Sequence, residues 1–457
     1  MLPYKVNILS KEIIQQIIEE ALALLRDPGI QVHNRDGLTL LAEAGAQVDF
    51  DRQIVSIQEE LVLKALESTP SNFYLFNLDG QPGVFYGGNS VHFDPGSTAV
   101  TILEDNTGIQ RQPVTADLVK FVQLVETLPQ LDAQSTAFVC RDVPEEIGDL
   151  YRLYLALLYM RKPIVTGAFS KDTWWTMWEM LTIVAQGESE LADKPLAIFD
   201  VCPTPPLLWS DLTCQNLIDC GRKSVPVELV SMPGAPIVWG GAPAAFNMRE
   251  GTTPMGDANT WLIDMAYVQI GKHLGLPTHT YMGSSDAKLL DYQAGAESAG
   301  GTILAAFSGV NMVSGAGMID FLRCQSFEKL VCDAEIIGMT KRLLQGIEIR
   351  DTPIAVDLMR GSPHQANFLG HPHTHKWFRE ELYMPSTIIE RSSVESWQLN
   401  GSMDTYQRAS ERIDSLLEAY QPSPLADDIR AELASITTRQ AKKFGMERLP
   451  SIPNADD

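Results

Sequence analysis

The sequence predicts an α/β protein, a (β/α)8 TIM-like barrel with an N-terminal helical and small-β extension and C-terminal helices. Two observations lead there. From about residue 116 onward, continuously apolar runs alternate with helical patterns, as expected of a parallel sheet covered by helices. In addition, Thr278–Ala299 reads as strand, polar loop and helix, and Val310–Asp320 as strand and polar loop, with reactive side chains just after each strand. In parallel α/β proteins those positions crowd around the carboxyl ends of the strands, where active sites form.

Three regions are expected: a cap over 1–115, the barrel over 116–400 and a helical tail over 401–457. Ile13, Ile14, Ile17, Ile18, Ala21, Leu22 and Leu25 recur at helical spacing, and shorter helices follow around Leu38–Ala44 and Glu60–Leu66. Phe73–Phe76, Val84–Tyr86, Val91–Phe93 and Ala99–Leu103 read as short strands of a small antiparallel insert, broken by Gly and Asp. In the barrel, helices at Asp117–Glu126, Gly148–Met160 and Thr173–Ala185 separate strands at Ser135–Cys140, Ile164–Phe169 and Ala197–Cys202. Further strands are expected at Val227–Ser231, Ile237–Trp239, Thr278–Met282 and Asn311–Ser314. Seven candidates approach the eight strands of a barrel, with a doubly wound sheet as runner-up.

One spacing breaks the scheme. Only Met-Pro-Gly-Ala-Pro separates Ser231 from Ile237, whereas a parallel crossover needs about a dozen residues. Either the two runs form one kinked element or the intervening residues are missing; we favour the second, with one βα unit lacking near 232–235. In the tail, Thr405–Ala419 and Leu425–Lys442 are amphipathic helices on either side of Gln421-Pro-Ser-Pro424.

The formal net charge of −23 disfavours nucleic acid and anionic membranes. Met1–Ser10 lacks the order of a signal peptide, and a cytoplasmic protein is expected. Ser298–Ile319 is uncharged and about long enough to span a bilayer, but its glycines, Ser308, Asn311 and Ser314 favour a buried helix running into a central strand. The six cysteines lack CxxC spacing, which favours reduced, buried thiols. No Walker A sequence, GxGxxG turn, GxSxG elbow or HExxH occurs.

Three constellations could carry chemistry. Four of the eight histidines lie between His364 and His375, and imidazoles are common transition-metal ligands. Helix caps or pocket walls are the plainer reading, because Pro372 and the following residues suggest a loop entering a helix. The second is Asp286, Lys288, Asp291, Gln293 and Glu297, where Asp286 could cap a helix and Lys288 pair with Asp291, or all could line a site. The third is a set of aromatics near turns, Phe85, Tyr86, Trp209, Trp239, Tyr281 and Phe327. Aromatic faces attract quaternary ammonium groups, although any one of these rings is more often core.

Pro233-Gly-Ala-Pro-Ile-Val-Trp-Gly-Gly241, Ser284-Ser-Asp-Ala-Lys-Leu-Leu-Asp-Tyr-Gln-Ala-Gly295, Ser314-Gly-Ala-Gly-Met318, Ser326-Phe-Glu-Lys-Leu330 and Phe368-Leu-Gly-His-Pro-His373 resemble the trimethylamine:corrinoid methyltransferase family. The resemblance runs to about residue 440. It implies a (β/α)8 barrel that moves a methyl group from a methylated amine to the cobalt of a separate corrinoid protein. The trimethylamine enzymes contain pyrrolysine, whereas this sequence has only standard residues; it is similar to the branch acting on quaternary amines such as glycine betaine, proline betaine or carnitine. The junction at Met232–Ala235 is short where the family has a further helix and strand.

The resemblance further implies an aromatic cage from Tyr281, Trp239, Tyr86 or Phe327, negative potential from Asp320 or Asp286, and carboxylate donors among His371, His373 and Lys288, with Gln293 nearby. No metal and no tightly bound cofactor are expected, the corrinoid being a methyl acceptor carried by a transient protein partner or free. A homodimer is a further expectation. Two competing readings remain: a metal-dependent lyase or hydrolase using His371, His373 and His375, and a catalytically idle betaine-binding protein.

Overall fold

A computed structural model describes residues 5–97, 99–204, 206–228, 237–361 and 367–451. Two parallel sheets organise it. Labelling the parallel strands in chain order, β1 is His92–Phe93, β2 Gln134–Ser135, β3 Ile164–Thr166 and β4 Ala197–Asp200; β5 is Val227–Glu228, β6 Ile237–Val238, β7 His279–Thr280 and β8 Met312–Val313. One sheet runs β6-β5-β4-β3-β2 and the other β7-β8-β1. They meet at both ends. Trp239, just past β6, bridges Thr278 in parallel, and the Asp132 N–H donates to the Phe93 carbonyl at 2.8 Å, joining β1 to the approach to β2.

Helices connect most consecutive strands: Thr115–Thr127, Gly148–Tyr159, Lys171–Ala185, Asp211–Lys223, Ala258–His273 and Tyr292–Ser308, with Phe327–Gln345 after β8. Several begin on a side-chain cap that accepts an otherwise unpaired N–H. Ser170 accepts from Thr173, Ser210 from Thr213, Asp291 from Ala294 and Ser326 from Lys329. Each cap follows a strand, so it also fixes where the chain turns from sheet to helix.

The core lies between strands and helices, where Leu118, Phe121, Phe138, Trp174 and Phe199 are buried; burying such a side chain stabilises by about 1.5–3 kcal/mol. Every residue of Gly148–Tyr159 is buried. An inner helix can be apolar all round only if something covers its outer face. Asp427–Lys443 packs there, and Tyr420 Oη donates to the Tyr159 carbonyl at 2.6 Å.

One expectation needs correction. The 91–93 run is not part of an antiparallel insert: β1 pairs in parallel with β8. The hairpin Phe73–Phe76 with Pro82–Tyr86 is antiparallel as expected. The runs on either side of the short junction are not one kinked element, because β5 and β6 are separate strands paired in parallel, Val227 opposite Ile237 and Glu228 opposite Val238. The residues between them, 229–236, lie outside the described ones, as does His364. Ser298–Ile319 does run from the helix Tyr292–Ser308 into β8. Among the described residues no helix is long and apolar enough to cross a membrane. All six cysteines are free; five are buried and Cys202 is exposed.

Candidate active site

Side chains two apart on a strand share a face, and this alternation builds the site in two layers. The lower layer is apolar: Ala133, Val165, Ile198, Val238 and Met312 cluster with Leu75, Val84 and Tyr86. Leu75, Val84 and Tyr86 come from the hairpin, which is pinned to the amino-terminal side of the strands where the Phe76 N–H donates to the Pro195 carbonyl and the Leu78 N–H to the Arg161 carbonyl. Moving two residues along the strands replaces Ile198 by Asp200, Val238 by Gly240 and Met312 by Ser314, while β5 and β7 contribute Glu228 and His279 and Asp94 follows β1. The second layer is polar and sits at the carboxyl ends.

Its members form a chain of contacts. Glu228 Oε1 lies against His279 Nδ1, His279 Nε2 is 2.7 Å from Ser314 Oγ, and Ser314 Oγ donates to Asp94 Oδ1. With the hydroxyl proton committed to Asp94, Nε2 must carry its own proton and donate to Ser314 Oγ. A neutral imidazole then leaves its acceptor nitrogen, Nδ1, facing the Glu228 carboxyl, with no hydrogen-bond partner among the described residues. Electrostatics agree with this assignment. Burial pushes the Glu228 carboxyl well up, with Asp94 adding to it, and burial lowers His279 against the pull of Asp200 and Asp94. Burial, reinforced by Glu228, also raises Asp200 well above its usual range. Asp94 is pushed up to about 7, chiefly by burial.

Tyr281 completes the layer, and the Tyr86 phenol borders it from the apolar layer below. The Tyr281 ring meets His279 edge-on at 5.0 Å, and burial followed by the charges of Asp200, Glu228 and Asp94 raises its phenol far above normal. Tyr86 is fully buried, and its phenol is raised by burial, then by Glu228, Asp94 and Asp200. Gly96, at φ +80°, is a position only glycine fills comfortably; an added Cβ there would stand 3.0 Å from the Tyr281 ring. Tyr86 Oη, Asp94 Oδ2, Asp200 Oδ1 and Glu228 Oε2 are buried without hydrogen-bond partners among the described residues. Buried polar atoms are ordinarily paired, so four in one cluster mark a place built for a polar or charged ligand.

The other candidates lie elsewhere. Trp239 stacks on Tyr267 at 5.0 Å and donates its indole N–H to the Tyr267 carbonyl, facing the helix Ala258–His273. Phe327 opens the helix Phe327–Gln345, 6.5 Å from the Phe121 ring and 4.8 Å from Lys120 Nζ. Asp286 does not cap a helix; it accepts the Met255 and Gly256 N–H groups at 2.8 and 2.9 Å. Lys288 pairs with Asp320 at 3.0 Å rather than with Asp291. Although burial opposes it, Lys288 and Gln110 hold the Asp320 carboxyl below its usual range. Gln293 donates to Glu297 at 2.8 Å. His371 caps the helix Pro372–Glu381, and His373 pairs with Asp351 at 3.3 Å. Among the described residues no group of three or more His, Cys, Asp or Glu side chains could hold a metal ion.

Asp94, Asp200, Glu228, His279 and Ser314 were not among the residues selected from sequence. A common signal was available: each is a polar residue in, or one position past, a short strand.

The family model for trimethylamine methyltransferase matches residues 3–232 and 228–445, two stretches that overlap at the short junction. A trimethylamine methyltransferase of Desulfitobacterium hafniense is 26% identical over 96% of this chain and 95% of its own length. A glycine betaine methyltransferase of the same species is 26% identical over 97% of this chain and 99% of its own. The crystal structure of the Methanosarcina barkeri monomethylamine methyltransferase superposes with a TM-score of 0.51 at 13% identity, covering 91% of this chain and 90% of that one, a likeness of α/β fold. With both stretches of the family model matched over nearly its whole length, this chain belongs to the trimethylamine methyltransferase family.

Proposed function

We propose that the chain is a methyltransferase that moves a methyl group from a quaternary amine, glycine betaine or a related betaine, to the Co(I) of a corrinoid protein. The observation that carries this reading is the carboxyl layer of buried Asp94 and Glu228 and half-buried Asp200, with Tyr86 and Tyr281. We read the two sheets and the contacts joining them as a (β/α)8 barrel, with this layer at its carboxyl end, where barrel enzymes place their chemistry.

A quaternary ammonium already carries the charge that makes its amine a leaving group, so no base is needed to activate it. The protein has to hold the cation, present one N-methyl group and exclude water. Asp94 and its neighbours supply negative potential, and a cation beside them favours their ionised forms. The Tyr281 ring offers a face to the N-methyl groups. The methyl acceptor, a reduced corrinoid, is a strong nucleophile delivered to the open end by a partner. Phe169, Phe246, Met248 and Tyr292 follow parallel strands on that side and are 51–90% exposed. Exposed apolar side chains of this kind suit a transient docking contact.

The test offers a reduced corrinoid, free or protein-bound, together with a panel of quaternary and tertiary amines, and follows the visible spectrum. Conversion to methylcobalt with a betaine is the expected result; no conversion with any amine rejects the reading.

A further inference from the structure

Above the carboxyl layer sits one buried cation. Arg152 lies in the first half of the fully buried helix Gly148–Tyr159 and is itself 3% exposed. Its guanidinium reaches between two loops at the carboxyl ends of the strands. Nη1 donates to the Ser97 carbonyl after β1 at 3.2 Å, and Nη2 donates to the Gly167 carbonyl after β3 at 3.4 Å. One face lies 4.5 Å from the Phe169 ring, which is half exposed. Nε has no hydrogen-bond partner among the described residues.

The counter-charge is what is unusual. A buried guanidinium is costly unless an anion pairs with it. Asp149, its neighbour in sequence, is the largest opposing charge acting on it, but that carboxylate directs its hydrogen bonds elsewhere, to the Phe169 N–H and Thr173 Oγ1, both at 2.5 Å, and to the Leu150 N–H at 2.8 Å. Asp200 lies nearby, its carboxyl raised well above the usual range by burial and then by Glu228, against the pull of His279 and Arg152. Burial lowers Arg152 only to about 10, so it stays charged at neutral pH. A guanidinium presents five N–H donors in a planar fork that matches a carboxylate. Two carbonyls leave most of those donors unused, and the Phe169 ring covers a face rather than the donor edge.

We propose that Arg152 is the specificity-determining residue that receives the substrate's carboxylate, so that the site selects zwitterionic methylated amines over the same cations lacking a carboxylate. The assignment rests on the methyl-transfer reading above. It takes the carboxylate-binding role away from His371, His373 and Lys288, whose contacts are with a helix N-terminus, Asp351 and Asp320. A zwitterion also suits the surroundings: its cationic end meets the carboxyl layer and its anionic end meets the only guanidinium identified beside that layer among the described residues.

Titration calorimetry on the purified chain, with no methyl acceptor present, tests this. Glycine betaine, proline betaine and carnitine are compared with choline, which keeps the trimethylammonium group and lacks the carboxylate. The wild type should bind at least one carboxylate ligand tenfold or more tighter than choline. Arg152→Gln should weaken that ligand about 100-fold and leave choline unchanged, and Arg152→Lys, keeping charge but losing the fork, should fall between them. Equal weakening of both ligands by Arg152→Gln, or no change in either, would show that Arg152 only clamps the two carbonyls. If Arg152→Gln does not fold, the lysine variant decides, because unchanged preference in it overturns the proposal. A wild type that prefers choline yet methylates the corrinoid overturns the Arg152 role alone, whereas one that binds no methylated cation overturns the methyl-transfer reading as well.

Discussion

Two regions of this molecule concentrate ionisable side chains, and they differ in every respect that matters for chemistry. The segment ending in His371, His373 and His375 is conspicuous in sequence, but His371 and His373 are half-buried and His375 is exposed, and the first two are occupied by a helix cap and by Asp351. The layer of Asp94, Asp200, Glu228 and His279 contains one histidine, and its members are scattered over the sequence. Asp94, Glu228 and His279 are buried nearly completely, and Asp200 is half-buried. Water screens the first group and leaves its members close to independent. Burial couples the second group, so that protons are shared and each charge depends on its neighbours. Density along the chain is therefore a poor guide, and convergence in a dry interior a better one.

The largest effects are expected where that coupling is broken. Glu228→Gln keeps the shape and can donate to His279 Nδ1, but it cannot ionise in response to a cation. Methyl transfer should fall by about 100-fold, the scale for losing one preorganised polar group in an active site, with the circular dichroism spectrum unchanged. Gly240→Ala approaches the same point from outside: the new Cβ would lie 2.5 Å from Glu228 Cγ, forcing the carboxyl away from His279. Full activity in both variants would break the comparison.

Asp94 gives a smaller effect with a defined sign. Its pKa rises from 3.8 unfolded to about 7 folded. Between those values the native state holds a proton that the unfolded state has lost, so stability falls as pH rises through this window and levels off above it. The full shift corresponds to about 4 kcal/mol as an upper bound. Asp94→Asn removes this dependence. Urea midpoints measured from pH 5 to 8 should fall more steeply for the wild type than for the variant; parallel curves would mean that Asp94 is not held protonated.

Much of the architecture was legible because it is local. The apolar runs, the antiparallel hairpin and the passage from Ser298 into β8 each follow from periodicity within about twenty residues. What failed was non-local. His92–Phe93 is two residues long and shows no alternation, and only its parallel pairing with Met312–Val313 identifies it as a central strand. The hydrogen bond from Ser314 to Asp94 spans 220 positions, and neither residue looks unusual on its own. Asp286 and Lys288 showed the converse error. Their spacing suggested a helix cap and an i,i+3 pair, but the loops brought Met255, Gly256 and Asp320 into reach, and those long-range partners prevailed.

The smallest effect is expected from the histidine-rich segment. His373 Nε2 is 3.3 Å from Asp351, with both side chains more than a third exposed. Asp351 also accepts the Trp377 indole N–H at 2.9 Å and lies 3.7 Å from Lys376, so it keeps partners when the imidazole is removed. An exposed pair of this kind contributes about 0–1 kcal/mol. His373→Ala should therefore lower stability by less than about 1 kcal/mol, and turnover should stay near the wild-type value. A chelator should leave turnover unchanged. Loss of activity on either treatment would sharpen the question differently: the segment would have to act at the open end of the strands during turnover.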